Sequence, residues 1–117
     1  MNFTKTIFKY YDAAEKLDYE RQTLVILKSH PVSQTKNESD AHYIRKILDY
    51  KSELKSVEKG VSLFEKLVST YRNELLDSLK QAGVEPETTI NVPISGESVL
   101  RVWYTPEGGC HYRKEYI

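Results

Sequence analysis

The chain has 117 residues, 39% hydrophobic and 29% charged, and its 17 basic residues balance 17 acidic ones. That length suits one domain, 1–117, with a modest core, and the charge balance argues against a protein built to grip phosphate backbones. A single cysteine excludes an internal disulfide and fits a reducing compartment, and no apolar run reaches membrane-spanning length.

Residues 3–29 read as the first helix. Phe3, Ile7, Tyr10, Ala14, Leu17 and Leu24 recur at three- and four-residue spacing, with Arg21 interrupting the stripe. Lys9, Asp12, Glu15, Lys16 and Glu20 mark a solvated face. The end differs. Leu24, Val25, Ile26 and Leu27 point in four successive directions, which one neighbouring helix cannot cover, so a second packing partner is expected there. His30-Pro31 stops the helix, because the residue before proline is pushed out of the α region. Residues 30–39 form a polar, turn-rich connection, expected to be exposed and mobile, between two antiparallel helices.

Residues 40–82 read as one long helix. Ile47, Leu54, Val61, Val68, Leu75 and Ala82 recur every seven residues, and Tyr50, Val57, Phe64 and Tyr71 follow the first four by three. This is a coiled-coil-like seam about five heptads long, broken only by Ser78. Ser39 or Asp40 supplies the start signal and Gly83 the stop. Gly60 falls beside the seam, as a close-packing position or a weak point. A compact connection would set residue 27 near 42 and residue 3 near 66, leaving 67–82 as an overhang. Leu67, Leu76 and Leu79 on that overhang need a cover. Tyr43, Ile44 and Leu48 would join 24–27 at the loop end.

Residues 88–117 read as a three-stranded antiparallel meander. Ile90, Val92 and Ile94 alternate with polar positions, and Pro93 marks an edge strand. Residues 95–97 turn the chain. Thr105-Pro106-Glu107-Gly108-Gly109 is a hairpin signal, with Gly108 expected in the left-handed conformation. The implied register sets 105 opposite 109 and 103 opposite 111. Leu100, Val102, Tyr104, Cys110, Tyr112 and Tyr116 then share a face turned to the overhang. Val99, Arg101, Trp103, His111, Arg113 and Glu115 share the outward face. The fold class is therefore α+β, a long antiparallel helical hairpin followed by a β-meander.

No reaction centre emerges. Cys110 and His111 alternate across a strand and cannot act on one atom together. His30 and His42 without a thiolate or carboxylate at fixed spacing make no metal signal. Gly108-Gly109 lacks the strand–loop–helix setting of a phosphate cradle, and the carboxylates pair with lysines at helical spacing. No enzyme activity, cofactor or metal is expected.

Two surfaces stand out as partner sites. Trp103, fringed by Arg101, His111 and Arg113, has the composition of an interface hot spot. Leu24, Val25, Leu27, Ile44 and Leu48 form an apolar set suited to self-association as a homodimer. The expectation is a non-enzymatic protein-binding module that docks a larger protein through its sheet. Neutral Tyr- and Lys-rich composition at this size fits a phage or mobile-element inhibitor or accessory factor. The alternatives are a self-associating assembly protein and, less favoured by the charge balance, a single-stranded nucleic-acid binder. Residues 1–5 lack a secretory apolar core, so the expected location is the cytoplasm, that of the host for a phage product.

Overall fold

A 42-residue amphipathic segment has little reason to stay helical in water unless one face is packed. In this computed structural model, which describes residues 3–117, the packing comes from both sides of it in sequence. Helix α1 (Phe3–Ser29) runs antiparallel to α2 (Asp40–Gln81), and a sheet of β1 (Ile90–Ser95), β2 (Ser98–Thr105) and β3 (Gly109–Tyr116) follows in the order β1-β2-β3. The architecture is the α+β hairpin and meander read from the pattern. No helix among the described residues is long and apolar enough to cross a membrane.

Local signals fix the element ends. Ser39 caps α2 by accepting the His42 amide at 3.2 Å. At the other end Gly83 is left-handed, and the Val84 and Gly83 amides donate to the Leu79 and Lys80 carbonyls, closing a Schellman motif. The helix passes through Gly60 unbroken. A Cβ there would meet the end of the Glu20 side chain at 3.1 Å, which makes Gly60 a point of close helix approach.

The molecule measures 66 × 29 × 22 Å. Forty-two residues of α2 span about 63 Å, so α2 sets the length and the sheet lies alongside it. The core forms where the sheet meets the helices. Ile7, Leu75, Leu79, Leu100, Val102 and Cys110 are all 0% exposed, with Tyr10, Val92 and Tyr104 around them. The inner sheet face is the one the register implied at Leu100, Val102, Tyr104, Cys110 and Tyr112, whereas Tyr116, expected to share that covered face, is 78% exposed and outside the core. Trp103 pairs with His111 and Thr105 with Gly109.

Three further expectations need correction. The helices are slid along one another. Tyr50 Oη donates to the Leu27 carbonyl at 2.8 Å, Gly60 meets Glu20, and Lys9 lies over the Tyr71 ring. Residue 27 therefore sits near 50 rather than 42, and Ile7 of α1 shares the core of Leu75 and Leu79 instead of ending short of an overhang. The connection makes this possible by running extended and then folding back on α2, where Lys46 donates to the Ser33 carbonyl. Leu67 lies outside the core that Leu76 and Leu79 join. Ile44 and Leu48 lie beyond the end of α1 rather than against 24–27.

The second correction concerns the hairpin turn. Gly109, not Gly108, has the positive φ of 73°. Thr105 Oγ1 accepts the Gly108 amide at 3.0 Å, which holds Gly108 in the turn and passes the left-handed step to the next residue. The third concerns the connection, which is exposed but tethered. Glu38 accepts from the Thr35 amide at 3.2 Å and from Lys46 at 3.0 Å, and His42 approaches the same carboxylate. Its side chain is 5% exposed, covered by these local donors rather than by the core.

Truncating Leu100 to Ala should cost about 2–5 kcal/mol, because a fully buried leucine leaves a cavity. Leu63→Ala, at a residue 54% exposed, should change stability by under about 0.5 kcal/mol. Urea unfolding midpoints at unchanged m-value check both. Burial raises the Glu38 pKa, but bonds from Lys46, the Thr35 amide and His42 outweigh it and hold the value below its ordinary 4.5. A depressed folded value stabilises above the unfolded pKa and is lost as pH falls through the folded one. The melting-temperature gap between wild type and Glu38→Gln should therefore be full at neutral pH and shrink steadily below about 4.5. A gap that widens with acid would contradict the tether.

Candidate protein-docking face

The outward face of the sheet is built by alternation. Leu100, Val102 and Tyr104 turn inward, so Val99, Arg101 and Trp103 must turn outward. The pairing Trp103↔His111 and Arg101↔Arg113 then sets side chains of β3 beside them. Trp103 and His111 are both half-buried, with ring centroids 5.9 Å apart and planes tilted by 33°. His111 Nε2 is 3.3 Å from Thr105 Oγ1, which limits how its ring turns. On the far side Glu87 and Thr89 join Trp103 and Arg113 around a shallow hollow of about 250 Å³.

Two arginines directly opposite each other would repel. Glu115 answers both, with Oε2 2.5 Å from Arg101 Nε and Oε1 2.5 Å from Arg113 Nη2. The Arg101 contact is a charge pair off the line of a hydrogen bond. The four expected residues Arg101, Trp103, His111 and Arg113 are thus brought together. Their fringe is less basic than the residue types imply, because Glu115 neutralises part of it. That pairing was visible in principle, since Glu115 is two residues from Arg113 on the same face. Glu87 was not visible, because it reaches the site through a loop turn with φ of 66°.

The loop that carries Glu87 is held by one residue. Tyr104 accepts the Glu87 amide at 2.8 Å with its carbonyl and donates its hydroxyl to the Val84 carbonyl. From beneath, Arg72 of α2 donates to the Cys110 carbonyl at 2.9 Å and to the Gly108 carbonyl, fixing the β2–β3 turn. Tyr10 also donates to the Cys110 carbonyl at 3.2 Å, and Tyr112 donates to Glu15 at 3.1 Å. Burial raises the Tyr112 pKa, and Glu15 raises it further. These contacts anchor the sheet to both helices. They also border a larger polar hollow of about 550 Å³ among Leu17, Arg21, Glu65, Arg72 and Glu107. Both arginines there are engaged, Arg21 with Glu65 at 3.3 Å and Arg72 with the two carbonyls.

The other expected site divides. Leu24 and Leu27 are half-buried along the helical seam, whereas Val25, Ile44 and Leu48 are 64%, 56% and 61% exposed. Leu27 lies beside Tyr50, so α1 ends before it reaches Ile44. His30 Nδ1 lies 3.0 Å from the Ile26 carbonyl, while His42 meets Glu38, so the two histidines share no ligand. Among the described residues no group of three His, Cys, Asp or Glu side chains is placed to hold a metal ion. No family model, curated protein or solved structure matches this chain.

Cys110 is fully buried, and that burial pushes its thiol up to about 11 against the pull of Arg72 and Lys80. The thiolate is the reactive form. A disulfide reagent at neutral pH should therefore leave the folded protein unmodified and titrate one thiol only after denaturant is added. Fast labelling of the native protein would contradict this packing.

Proposed function

We propose that this chain is a non-enzymatic protein-binding module that docks a larger partner through the outer face of its sheet. The observation that carries the reading is Trp103, half-buried at the centre of the outward sheet face beside His111, Arg101 and Arg113 and outside the core cluster. Its ring packs on His111 and not in the core, so folding alone does not account for a tryptophan there. Trp and Arg dominate interface hot spots because they bring large apolar area and directional donors at modest entropy cost. The arginines are already oriented by Glu115, which lowers the ordering cost on docking. Small size and balanced charge fit an inhibitor or accessory factor of phage or mobile-element origin, acting in the host cytoplasm.

A second reading, self-association, is favoured by a separate observation. From Asp18 to Glu74 no residue is fully buried. That stretch includes most of the helical seam. A homodimer would cover it. Nucleic-acid binding through the same sheet face has weaker support, since Glu115 offsets part of the charge of the two arginines.

Affinity capture with the wild type and Trp103→Ala tests the main reading. The variant should keep its melting temperature within a few degrees and lose the captured protein by about 30-fold or more in affinity, as a 2 kcal/mol hot spot requires. Equal capture by both proteins would sink the site. Capture abolished by nuclease, with affinity falling steeply with salt, would transfer the face to nucleic acid.

A further inference from the structure

The sheet covers only one end of one side of the hairpin. Its inner face rests on Ile7 of α1 and on Leu76 and Leu79 of α2. Val25 stands eighteen residues beyond Ile7, five whole turns at about 3.6 residues per turn, and so lies on the same side of α1. Ile44 and Leu48 stand four heptads before Arg72 and Leu76 and occupy the same heptad positions. Arg72 and Leu76 face the sheet. The side that the sheet covers proximally therefore continues distally uncovered, with Val25, Ile26, Ile44 and Leu48 as exposed aliphatic residues and Lys51, Lys55, Glu58 and Glu65 as charged ones among them. Val25 and Ile26 there line a shallow hollow of about 360 Å³ with Arg21 and Gln22.

We infer that a second copy of this chain covers that distal surface, with the two copies running head to tail about a two-fold axis across the hairpins. The inference rests on the self-association reading above and assigns it a surface and a direction. Three observations on this one face select the occupant and its orientation. The first is area. Residues 44–68 of α2 span about 36 Å, and two helices packed side by side are about 20 Å wide. Because α1 ends level with about residue 50, only the part from there to 68 is two helices wide, and the footprint is roughly 600 Å² per protomer, at the lower end of the range for stable interfaces.

The second is steric. Each sheet stands on the same side as the distal surface, so two copies facing each other in the same direction would bring sheet against sheet. Reversal puts the sheets at opposite ends and lets the distal surfaces meet. The third is charge. Along this side of α2, Lys51 and Lys55 precede Glu58 and Glu65, all four exposed, with Glu65 also paired to Arg21 of its own chain. Reversed copies set lysines against glutamates, whereas aligned copies set like against like. A self-complementary order of this kind is what an isologous interface requires.

Sedimentation equilibrium at micromolar concentration should return twice the 13.6 kDa chain mass. Val25→Glu with Leu48→Glu should return the single-chain mass with helical circular dichroism retained. Direction is read from spin labels placed by Ile117→Cys at the sheet end, and separately by Leu48→Cys on the distal surface. Buried Cys110 leaves the introduced thiol as the accessible one. The label pair at 117 should be far apart and the pair at 48 markedly closer. A monomeric wild type overturns both this inference and the self-association reading. A dimer that survives the double glutamate change overturns the surface alone. A short distance at 117 overturns the head-to-tail order. If the glutamate variant loses its helix, the two label distances in the otherwise native protein decide.

Discussion

Two helices laid side by side can shield a narrow seam from water, but they cannot enclose it. Each residue on the seam still has solvent on two sides, and the exposure along the seam shows the result. Leu54, Val57, Val61 and Phe64 are half-buried although the heptad pattern is regular. Complete burial in the helices appears only where a third layer is added, at Ile7, Leu75 and Leu79 beneath the sheet, while Ala13 and Leu17 keep 4% and 7% exposure. The sheet is thus the closing layer of the core. Everything else in the structure depends on that contact, from the slide of the helices to the exposed far end. A domain's stability comes mainly from apolar area removed from water, and here that area is concentrated at one end of a 66 Å rod.

The contact is directional as well as apolar. Arg72 and Tyr10 both reach the Cys110 carbonyl, one from each helix. Residues 110, 112, 114 and 116 of β3 turn their backbone groups away from β2, as the Ile117 amide bonded to the Glu97 carbonyl implies for the odd positions. The helices therefore satisfy part of the free edge of β3. Pro93 removes a donor from the opposite edge, and Lys114 points inward on β3. Both are devices that discourage sheet-to-sheet growth. Any association of this protein is then steered away from its strand edges, toward the faces of the sheet and hairpin.

Those faces differ in chemistry. The sheet face offers an aromatic ring and oriented guanidinium groups, whereas the distal hairpin offers aliphatic side chains between charged ones. The first suits a specific partner with polar complementarity, and the second suits a repeated contact of one chain with itself. They belong to different layers and lie apart along the rod, so they share no residue.

Periodicity and turn chemistry by themselves determined a large part of this protein. The seven-residue repeat set the extent of α2, Ser39 and Gly83 set its ends, and the Pro106–Gly109 turn set the strand register and both sheet faces. These are local signals, each decided by residues within a turn or two. The grouping of Arg101, Trp103, His111 and Arg113 on one face was legible for the same reason, because strand alternation and register follow from the turn. What only the tertiary structure decided is how far the helices slide, which glycine takes the left-handed step, and how Glu87 joins the sheet face. The slide was not legible because a heptad pattern repeats, so a seam matches itself at many offsets. An extended ten-residue connection permits several of them. The choice among them is made by burial at a distance, where Ile7 gains a place under the sheet that a shorter slide would deny it.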